Sequence, residues 1–365
     1  MKKYFFAILC SFLLVFFSCN QKKKKVFPKG EWLISTPEQQ GVDSKKMNEA
    51  LDYLASNSLS NKNREVLIIR NGYQIYAGDN IDCVHNIHSC SKTFTSTVLG
   101  LLVDDGKLTL DTKASKYEPL LKDLYPEVTF RHFATMTSGY NAKGRSRWEN
   151  ENEDWSWTPY EPDSPYFAPG TAFAYWDEAQ MMFGRVLTQV LQRPMIDFLK
   201  ERVTNEIGMD NWKWLPEKDI SGININTGGS KVQINAKQFA RWGYLFLNDG
   251  NWDGKQLISK NWVRMATSVQ VPANLPTGNT DRNNIVGSGC YGFNWWVNGK
   301  HSNDKTDYPG APEGLFYASG NFNNHCFVIK QWNMVIVRMG EDGDPKNIDE
   351  GYNIFLNMIG KSFIK

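Results

Sequence analysis

Three serine residues of the chain are followed by a lysine three positions later, the spacing at which a lysine amine can reach a serine hydroxyl on a helix. They are Ser89 with Lys92, Ser302 with Lys305, and Ser362 with Lys365. A chain of this length contains about one such pair by chance, so the surroundings must distinguish them. Ser302 lies in a polar segment and Ser362 lies at the end of the chain, whereas Ser89 opens a long apolar run.

The pair Ser89 and Lys92 has the composition of an activated nucleophile. A serine hydroxyl is a poor nucleophile unless an adjacent base takes its proton. A lysine kept neutral by burial and by a neighbouring cation or dipole can be that base, and the first turn of a helix adds free backbone N–H groups. In the structural alternative, Ser89 only caps the helix and Lys92 faces solvent. The tetrapeptide alone favours that alternative.

Cysteine and histidine residues offer weaker candidates. A cysteine hydrolase using Cys90 would need both Cys90 and Ser89 to face one site, which adjacent helical residues do not do. The chain has six cysteines but no CxxC pair, so we expect free thiols rather than a zinc ribbon or a redox motif. His85 and His88 are three residues apart without a third ligand, so we expect no metal and no cofactor.

The N-terminal segment has the pattern of an export signal. Two lysines precede an apolar run from Tyr4 to Phe17, which is too short for a comfortable membrane span. Ser18 before Cys19 resembles a bacterial lipoprotein processing site, so residues 1–19 are predicted to be a signal peptide, with Cys19 lipidated. Residues 20–30 are predicted to be a basic linker. The predicted location is the bacterial cell envelope, on the periplasmic side or at the outer membrane.

The remaining domain, residues 31–365, is predicted to be an ordinary globular protein from the composition of the chain. Hydrophobic residues make up 41% and charged residues 22%, which argues against disorder. The net charge of +2 does not indicate a nucleic-acid partner. The 13 tryptophans suit either the walls of a binding cleft or an aromatic core. The oligomeric state stays open.

Periodicity predicts strands at both ends of this domain and helices in the middle. Asn71-Gly72 separates two strand-like runs and predicts a tight hairpin. Helices are predicted over residues 43–55, 93–104, 233–247 and 353–359, and further strands over 65–70, 73–76, 314–318, 325–330 and 334–338. The pattern predicts a sheet part, about residues 31–90 and 230–365, into which a helical part, about residues 91–229, is inserted.

Longer motifs change the interpretation of Ser89. In chain order they are Ile87–Ser96 (IHSCSKTFTS), Leu101–Asp111, Met136–Gly139, Pro169–Tyr175 (PGTAFAY), Ile207–Met209, Gly228-Gly229, Asn251–Gln256 (NWDGKQ) and Tyr291–Trp296 (YGFNWW). This ordered set resembles the serine β-lactamase/penicillin-binding-protein superfamily, and within it the class C-like branch with esterases and 6-aminohexanoate-dimer hydrolases. The resemblance implies an α/β fold of the β-lactamase/transpeptidase type, an antiparallel sheet flanked by helices with an inserted helical region.

The resemblance also implies a second catalytic element at Tyr175-Trp-Asp177. Tyr175 would be the main general acid/base and Lys92 its electrostatic partner, because a tyrosine beside a cation can be held partly as phenolate. Asp177 departs from the asparagine or serine of the family. A carboxylate only accepts hydrogen bonds, so Asp177 would pair with Lys92 or bind a substrate ammonium.

The third family element, usually Lys-Thr-Gly or His-Thr-Gly on an edge strand, corresponds to Ala318-Ser319-Gly320. The N–H groups of Asn321 and Ser89 would form the oxyanion hole, and Ser319 and Gly320 would contact substrate. Ala318 removes the cation that would bind a substrate carboxylate, which favours esters or ω-amino amides over β-lactams.

Two functions therefore remain open at the level of sequence. The first is an exported serine hydrolase that cleaves an ester or amide, in a small molecule or a peptide, through an acyl-enzyme on Ser89. The second, motivated by the altered second and third elements, is a non-catalytic member that binds cell-wall peptide or a β-lactam without turnover.

Overall fold

The computed structural model describes residues 25–59, 62–144, 146–148, 153–156, 158–278, 285–340 and 348–364. Its strands are β1 (Leu33–Ile34), β2 (Val66–Arg70), β3 (Tyr73–Ala77), β4 (His85–Asn86), β5 (Ser146–Trp148), β6 (Glu153–Ser156), β7 (Lys213–Trp214), β8 (Pro216–Ile220), β9 (Ile223–Asn226), β10 (Val232–Ile234), β11 (Asn251–Trp252), β12 (Lys255–Gln256), β13 (Trp296–Val297), β14 (Phe316–Gly320), β15 (Asn324–Ile329) and β16 (Met334–Arg338). Its helices are α1 (Ser44–Asn57), α2 (Lys92–Asp104), α3 (Phe130–Ala134), α4 (Asp177–Leu191), α5 (Met195–Leu199), α6 (Ala236–Leu247), α7 (Lys260–Ala266) and α8 (Ile348–Lys361).

The main sheet joins both ends of the chain. Its strand order is β1-β3-β2-β16-β15-β14-β13. All neighbouring pairs are antiparallel except β1 with β3, which are parallel. Strands from the N-terminal and C-terminal segments thus pair directly through β2 and β16, which confirms the predicted sheet and adds one short parallel edge strand to it.

The predicted hairpin forms at Asn71-Gly72. Their φ angles are +54° and +86°, which is the combination that a two-residue turn with positive φ at both positions needs to match the twist of its strands. The antiparallel register that follows pairs Arg70 with Tyr73. The turn residues therefore determine which side chains of β2 face each of the two layers that cover the sheet.

Helices cover both faces of this sheet. On one face α1 packs on α8, and the buried cluster there includes Leu51, Ile68, Phe327 and Phe355. On the other face α6 packs on β2, β15 and β16. The second face continues into a larger apolar cluster that contains α2, so the sheet and the inserted helices share one core.

The middle of the chain is mostly helical but also carries short strands. Helix α2 contacts α4, α5 and α7. The helix predicted over residues 233–247 begins three residues later than predicted, because residues 232–234 form β10 and pair with β4 and β7. Asn235 then starts α6 with a capping box to Gln238. The last helix extends beyond the predicted residues 353–359 at both ends.

The predicted signal peptide with Cys19 and residues 20–24 of the predicted basic linker lie outside the described residues. Among the residues that are described, no helix combines the length and the apolar character that a membrane crossing requires.

Candidate active site

Ser89 lies in a short helical turn, His88–Ser91, that leads directly into α2. Ile87 precedes the turn, and its N–H donates to the carbonyl of Val232 at 2.9 Å, which ties the turn to β10. His88 has a φ of +47°, an unusual conformation for a residue other than glycine. The turn leaves Ser89 partly exposed at a cavity while the two residues after it are buried.

Cys90 faces the protein interior. Its side chain is fully buried and its thiol donates to the carbonyl of Asn324 at 3.3 Å. Burial, together with the neighbouring Cys326, raises the pKa of the Cys90 thiol, which disfavours the nucleophilic thiolate. Ser89 and Cys90 therefore face different surroundings, and only Ser89 lines the cavity.

Lys92 is the centre of a buried polar network. Its Nζ atom lies 2.8 Å from Ser89 Oγ, 2.7 Å from Asp177 Oδ1 and 3.1 Å from the carbonyl oxygen of Gly229. Only 1% of Lys92 and 6% of Asp177 is exposed. An ammonium has three N–H donors and no acceptor, so three acceptors around one nitrogen match a protonated lysine.

The chain supplies these acceptors by close packing of two other segments. Asp177 is the first residue of α4. A Cβ atom on Gly228 would lie 2.1 Å from the carbonyl oxygen of Gln180, so only glycine lets this loop approach the start of α4 closely enough to direct the carbonyl of Gly229 at Lys92. Thr95 of α2 donates to the carbonyl of Gly228 at 2.8 Å and fixes the same loop.

Tyr175 lies beside this network and lines the cavity with Ser89. The centre of its ring is 4.8 Å from Lys92 Nζ. Trp296 stacks on the ring at 5.6 Å and Tyr291 packs edge-on at 6.2 Å. Burial and the neighbouring Tyr175 raise the pKa of the Tyr291 hydroxyl. Tyr291 therefore stays uncharged and packs against the ring of Tyr175.

The end of β14 forms the wall opposite α2. A Cβ atom on Gly320 would lie 2.4 Å from the carbonyl oxygen of Ile87 and 3.1 Å from the N atom of Cys90. Glycine is therefore required for this close approach of β14 to the nucleophile turn. Ser319 and Asn321 line the cavity on either side of it. Ala318, by contrast, is 1% exposed and belongs to the apolar core.

Asn324 holds the loop that follows β14. Its side-chain nitrogen donates to the carbonyl of Asn321 at 2.8 Å and to that of Gly340 at 3.2 Å. In this loop Phe322 has a φ of +61° and contacts the ring of His88 at 4.8 Å. Two residues with left-handed backbones thus meet at the rim, next to Ser89 and Asn321, and strain of this kind clusters at functional sites.

The cavity between these walls has a volume of about 420 Å³. Aromatic and aliphatic side chains form about half of its lining: Tyr175, Ile285, Val286, Trp296, Tyr308 and Tyr317. The polar residues are Ser89, Ser319, Asn321, His301, Asp307 and His325. A cleft of this size with a few convergent polar groups is typical of a small-molecule site.

Sequence reasoning missed His325, which is aligned with Ser319 across the β14–β15 pair. It is 3% exposed, and among the described residues its Nδ1 atom has no hydrogen-bond partner. Burial lowers the pKa of the His325 imidazole to about 3, so His325 adds no positive charge to the cavity at neutral pH. The motif set includes Gly229 and Trp296, but the sequence assigned no role to the Gly229 carbonyl or to the Trp296 ring, because only the folded chain brings them to the site of Ser89 and Tyr175.

Two groups of side chains have the composition of a metal site. One contains Glu65, Cys83 and His85, and the other contains Cys290, His301 and Asp307. Neither group has the sequence spacing of a zinc motif, which is why the sequence predicts no metal.

Comparisons with known proteins concern the family and the fold of the chain. A family model described as Beta-lactamase matches residues 66–356. A beta-lactamase from Pseudomonas fluorescens is 30% identical over 153 residues, which are 41% of this chain and 42% of that protein. The match thus spans less than half the length of that curated relative.

Solved structures share the fold at low identity. A protein described as "Putative 6-aminohexanoate-dimer hydrolase" from Bacillus anthracis superimposes with a TM-score of 0.68 at 19% identity, over 90% of this chain and 86% of that one. EstCE1, described as a hydrolase with promiscuous acyltransferase activity, has a TM-score of 0.64 at 16% identity, over 88% and 99%. Because the family model matches residues 66–356, which are most of the chain, the protein belongs to the Beta-lactamase family, within the superfamily of serine beta-lactamases and penicillin-binding proteins.

Proposed function

We propose that this protein is an exported serine hydrolase that cleaves an ester or an amide through an acyl-enzyme on Ser89. The observation that carries the proposal is the Lys92 network. Its nitrogen lies 2.8 Å from Ser89 Oγ and has Asp177 and Gly229 as its other two acceptors, at the edge of a cavity that can hold a substrate.

The network supports a division of labour between Lys92 and Tyr175. The carboxylate of Asp177, 2.7 Å away, favours an ammonium at Lys92, and an ammonium that donates to Ser89, Asp177 and Gly229 has no lone pair with which to take the proton of Ser89. Tyr175 is then the general base. The positive charge 4.8 Å from its ring stabilises the phenolate form that accepts the proton.

The proposed reaction follows from these positions. Ser89 Oγ attacks the carbonyl carbon of the substrate while its proton passes to Tyr175. The tetrahedral oxyanion accepts hydrogen bonds from the N–H groups of Ser89 and Asn321. Collapse breaks the bond to the leaving group, which takes the proton from Tyr175. Water then attacks the acyl-enzyme and gives its proton to Tyr175. The bond to Ser89 Oγ breaks, Ser89 takes that proton back from Tyr175, and the acid is released.

The close contact at Gly320 supports the proposed oxyanion hole. It holds the end of β14 against the backbone at Ile87 and Cys90, so the N–H of Asn321 follows a backbone that already touches the nucleophile turn. Donors fixed in this way before the reaction need no reorganisation when the charge develops.

Substrates without a carboxylate next to the scissile bond fit this site best. Ala318 is buried and brings no cation to the cavity, and Asp177 already pairs with Lys92. In this proposal, the charge of Asp177 therefore holds Lys92 in place. The aromatic side chains of the cavity bind the apolar part of an ester or an ω-amino amide.

Labelling with a fluorophosphonate tests the nucleophile. We expect one covalent adduct, which peptide mapping places on Ser89, and hydrolysis of p-nitrophenyl esters over many turnovers. The Ser89→Ala variant should lose both. Ser302→Ala is the matched control, because Ser302 has the same spacing to a lysine but is exposed in a polar loop. Full turnover by Ser89→Ala would refute the proposal.

The same measurements separate the hydrolase from a binding protein. The departures at Asp177 and Ala318 would also fit a penicillin-binding relative that is acylated without turnover. A stable adduct on Ser89 with penicillin, combined with no multiple turnover on esters, nitrocefin, D-Ala-D-Ala peptides or ω-amino amides, would favour the binder.

Export and anchoring are a separate part of the proposal. The apolar run before Cys19 and the basic residues after it support lipidation of Cys19 and a position in the cell envelope. Cells fed with labelled palmitate should label the wild-type chain and leave Cys19→Ala unlabelled; equal labelling of both would exclude this anchor.

A further inference from the structure

The cavity wall beyond Tyr175 contains a cluster of three different donor side chains. Cys290, His301 and Asp307 each offer one ligand atom, and these three atoms lie within 4.8 Å of one another. His301 and Asp307 line the cavity, whereas Cys290 is buried behind them. The cluster takes no part in the proposed acyl transfer at Ser89.

The hydrogen bonds of His301 direct its Nε2 atom at the carboxylate of Asp307. His301 Nδ1 lies 3.0 Å from the carbonyl oxygen of Ser288, which can only accept, so Nδ1 carries the proton. The Nε2 atom lies 2.7 Å from Asp307 Oδ1. Nε2 is therefore the ring nitrogen of His301 that can bind a metal ion together with this carboxylate oxygen.

We propose that Cys290, His301 and Asp307 bind a divalent transition metal of the zinc class. Thiolate, imidazole and carboxylate are the donors that Zn²⁺ uses, with bond lengths of about 2.0–2.3 Å. When three atoms lie no more than 4.8 Å from one another, one point lies within about 2.8 Å of all three. Side-chain shifts below about 1 Å therefore bring the three ligand atoms to zinc bond lengths around that point. Metal binding releases two protons to solvent. One is the proton of the Cys290 thiol, and the other is the proton of the hydrogen bond between His301 Nε2 and Asp307 Oδ1.

The neighbouring groups have the arrangement that metal ligands require. A histidine ligand usually donates its other N–H to a carbonyl or carboxylate, as His301 does to Ser288. Tyr317 donates to the second oxygen of Asp307 at 3.2 Å and so orients the carboxylate. Three protein ligands with an open side toward a cavity leave one position for water or for an anionic or carbonyl group of a bound molecule.

The second cluster provides an internal control. Glu65 and His85 also form a close pair, with His85 Nε2 2.6 Å from Glu65 Oε2, and Cys83 lies with them. None of these three residues lines the active-site cavity. A Cys83→Ser variant therefore removes a thiol from a similar group without changing the proposed site.

Cobalt and zinc titrations test the proposal without any need for turnover, so its failure is distinguishable from failure of the proposed hydrolase. We expect metal-stripped protein to bind Co²⁺ with a thiolate-to-metal charge-transfer band and to bind Zn²⁺ in calorimetry. Cys290→Ser should lose the band and weaken Zn²⁺ by more than the ~10–100-fold typical of second-layer partners. Cys83→Ser should keep the band.

A second variant protects the test against misfolding. His301→Gln keeps every thiol and should weaken Zn²⁺ binding to a similar degree, while circular dichroism verifies the fold of each variant. The absence of a charge-transfer band in the wild-type protein would overturn the proposal. A band that survives both Cys290→Ser and His301→Gln, or that disappears in Cys83→Ser, would overturn it as well.

Discussion

The two walls of the cavity differ in how they treat charge. At the nucleophile wall, buried Lys92 has three hydrogen-bond partners, one of which is the carboxylate of Asp177. At the opposite wall, β14 brings its backbone against the same turn through Gly320, but its motif brings no cation: Ala318 is buried in the apolar core, and burial keeps His325 uncharged at neutral pH. The difference separates two tasks. The first wall retains what acyl transfer requires, and the second determines which substrate can bind.

The largest effect is expected at Tyr175, where the proposed proton transfer occurs. Tyr175→Phe removes only the hydroxyl and keeps the ring that stacks on Trp296. We expect kcat to fall by about 10²- to 10⁴-fold, the usual contribution of a general acid/base, with little loss of stability. Steady-state kinetics on a p-nitrophenyl ester measures it.

A matched change at Tyr73 provides the control. Tyr73 lies in β3, which is separated from β14 by three strands of the main sheet. Tyr73→Phe should leave kcat unchanged. Were Tyr175→Phe to retain most of the wild-type kcat, the base would have to be sought elsewhere and the division of labour with Lys92 would be wrong.

The next largest effect concerns the ion pair of the nucleophile wall. Asp177→Asn leaves the buried Lys92 without its counter-charge, and breaking a buried pair in this way costs about 3–5 kcal/mol of folding free energy. Asp105→Asn removes a more exposed pair with Arg202 and should cost about 1 kcal/mol or less. Urea unfolding of both variants measures the difference; equal losses would show that Lys92 is not held as a buried cation.

Gly320 tests the backbone contact that joins the two walls. Gly320→Ala places a methyl group 2.4 Å from the carbonyl oxygen of Ile87. Since that oxygen belongs to the backbone, β14 must move, at a cost of about 1–3 kcal/mol. We also expect kcat to fall more than KM rises, because the N–H of Asn321 moves with the strand.

The control for this change is Gly351→Ala, where nothing lies within 4 Å of the added atom. Alanine in that helix should be neutral or stabilising by up to about 1 kcal/mol. Wild-type kcat in Gly320→Ala would argue against an oxyanion hole at Asn321.

The sequence predicted much of the nucleophile wall and less of the opposite one. Short-range spacing is enough to bring Lys92 to Ser89, and a turn such as Asn71-Gly72 determines its hairpin from two residues. The Gly229 carbonyl, His325 and the Cys290 cluster come together only through contacts between distant segments. No local periodicity or spacing in the sequence encodes such contacts, so only the folded chain shows them.

The smallest effect is a pH dependence of stability that arises from His325, in the wall formed by β14 and β15. A histidine in the unfolded chain titrates near 6.5, whereas burial lowers the pKa of His325 to about 3. Between these values the unfolded state binds one more proton. Stability from this residue is therefore fully present above about pH 6.5 and is lost as the pH falls toward 3, by at most ~1.4 kcal/mol per pH unit. His325→Gln does not titrate, so its unfolding free energy should decline less steeply over this range than that of the wild type. Urea unfolding between pH 7 and pH 4 measures the two slopes, and parallel slopes would mean that the imidazole beside Ser319 is not kept neutral by the fold.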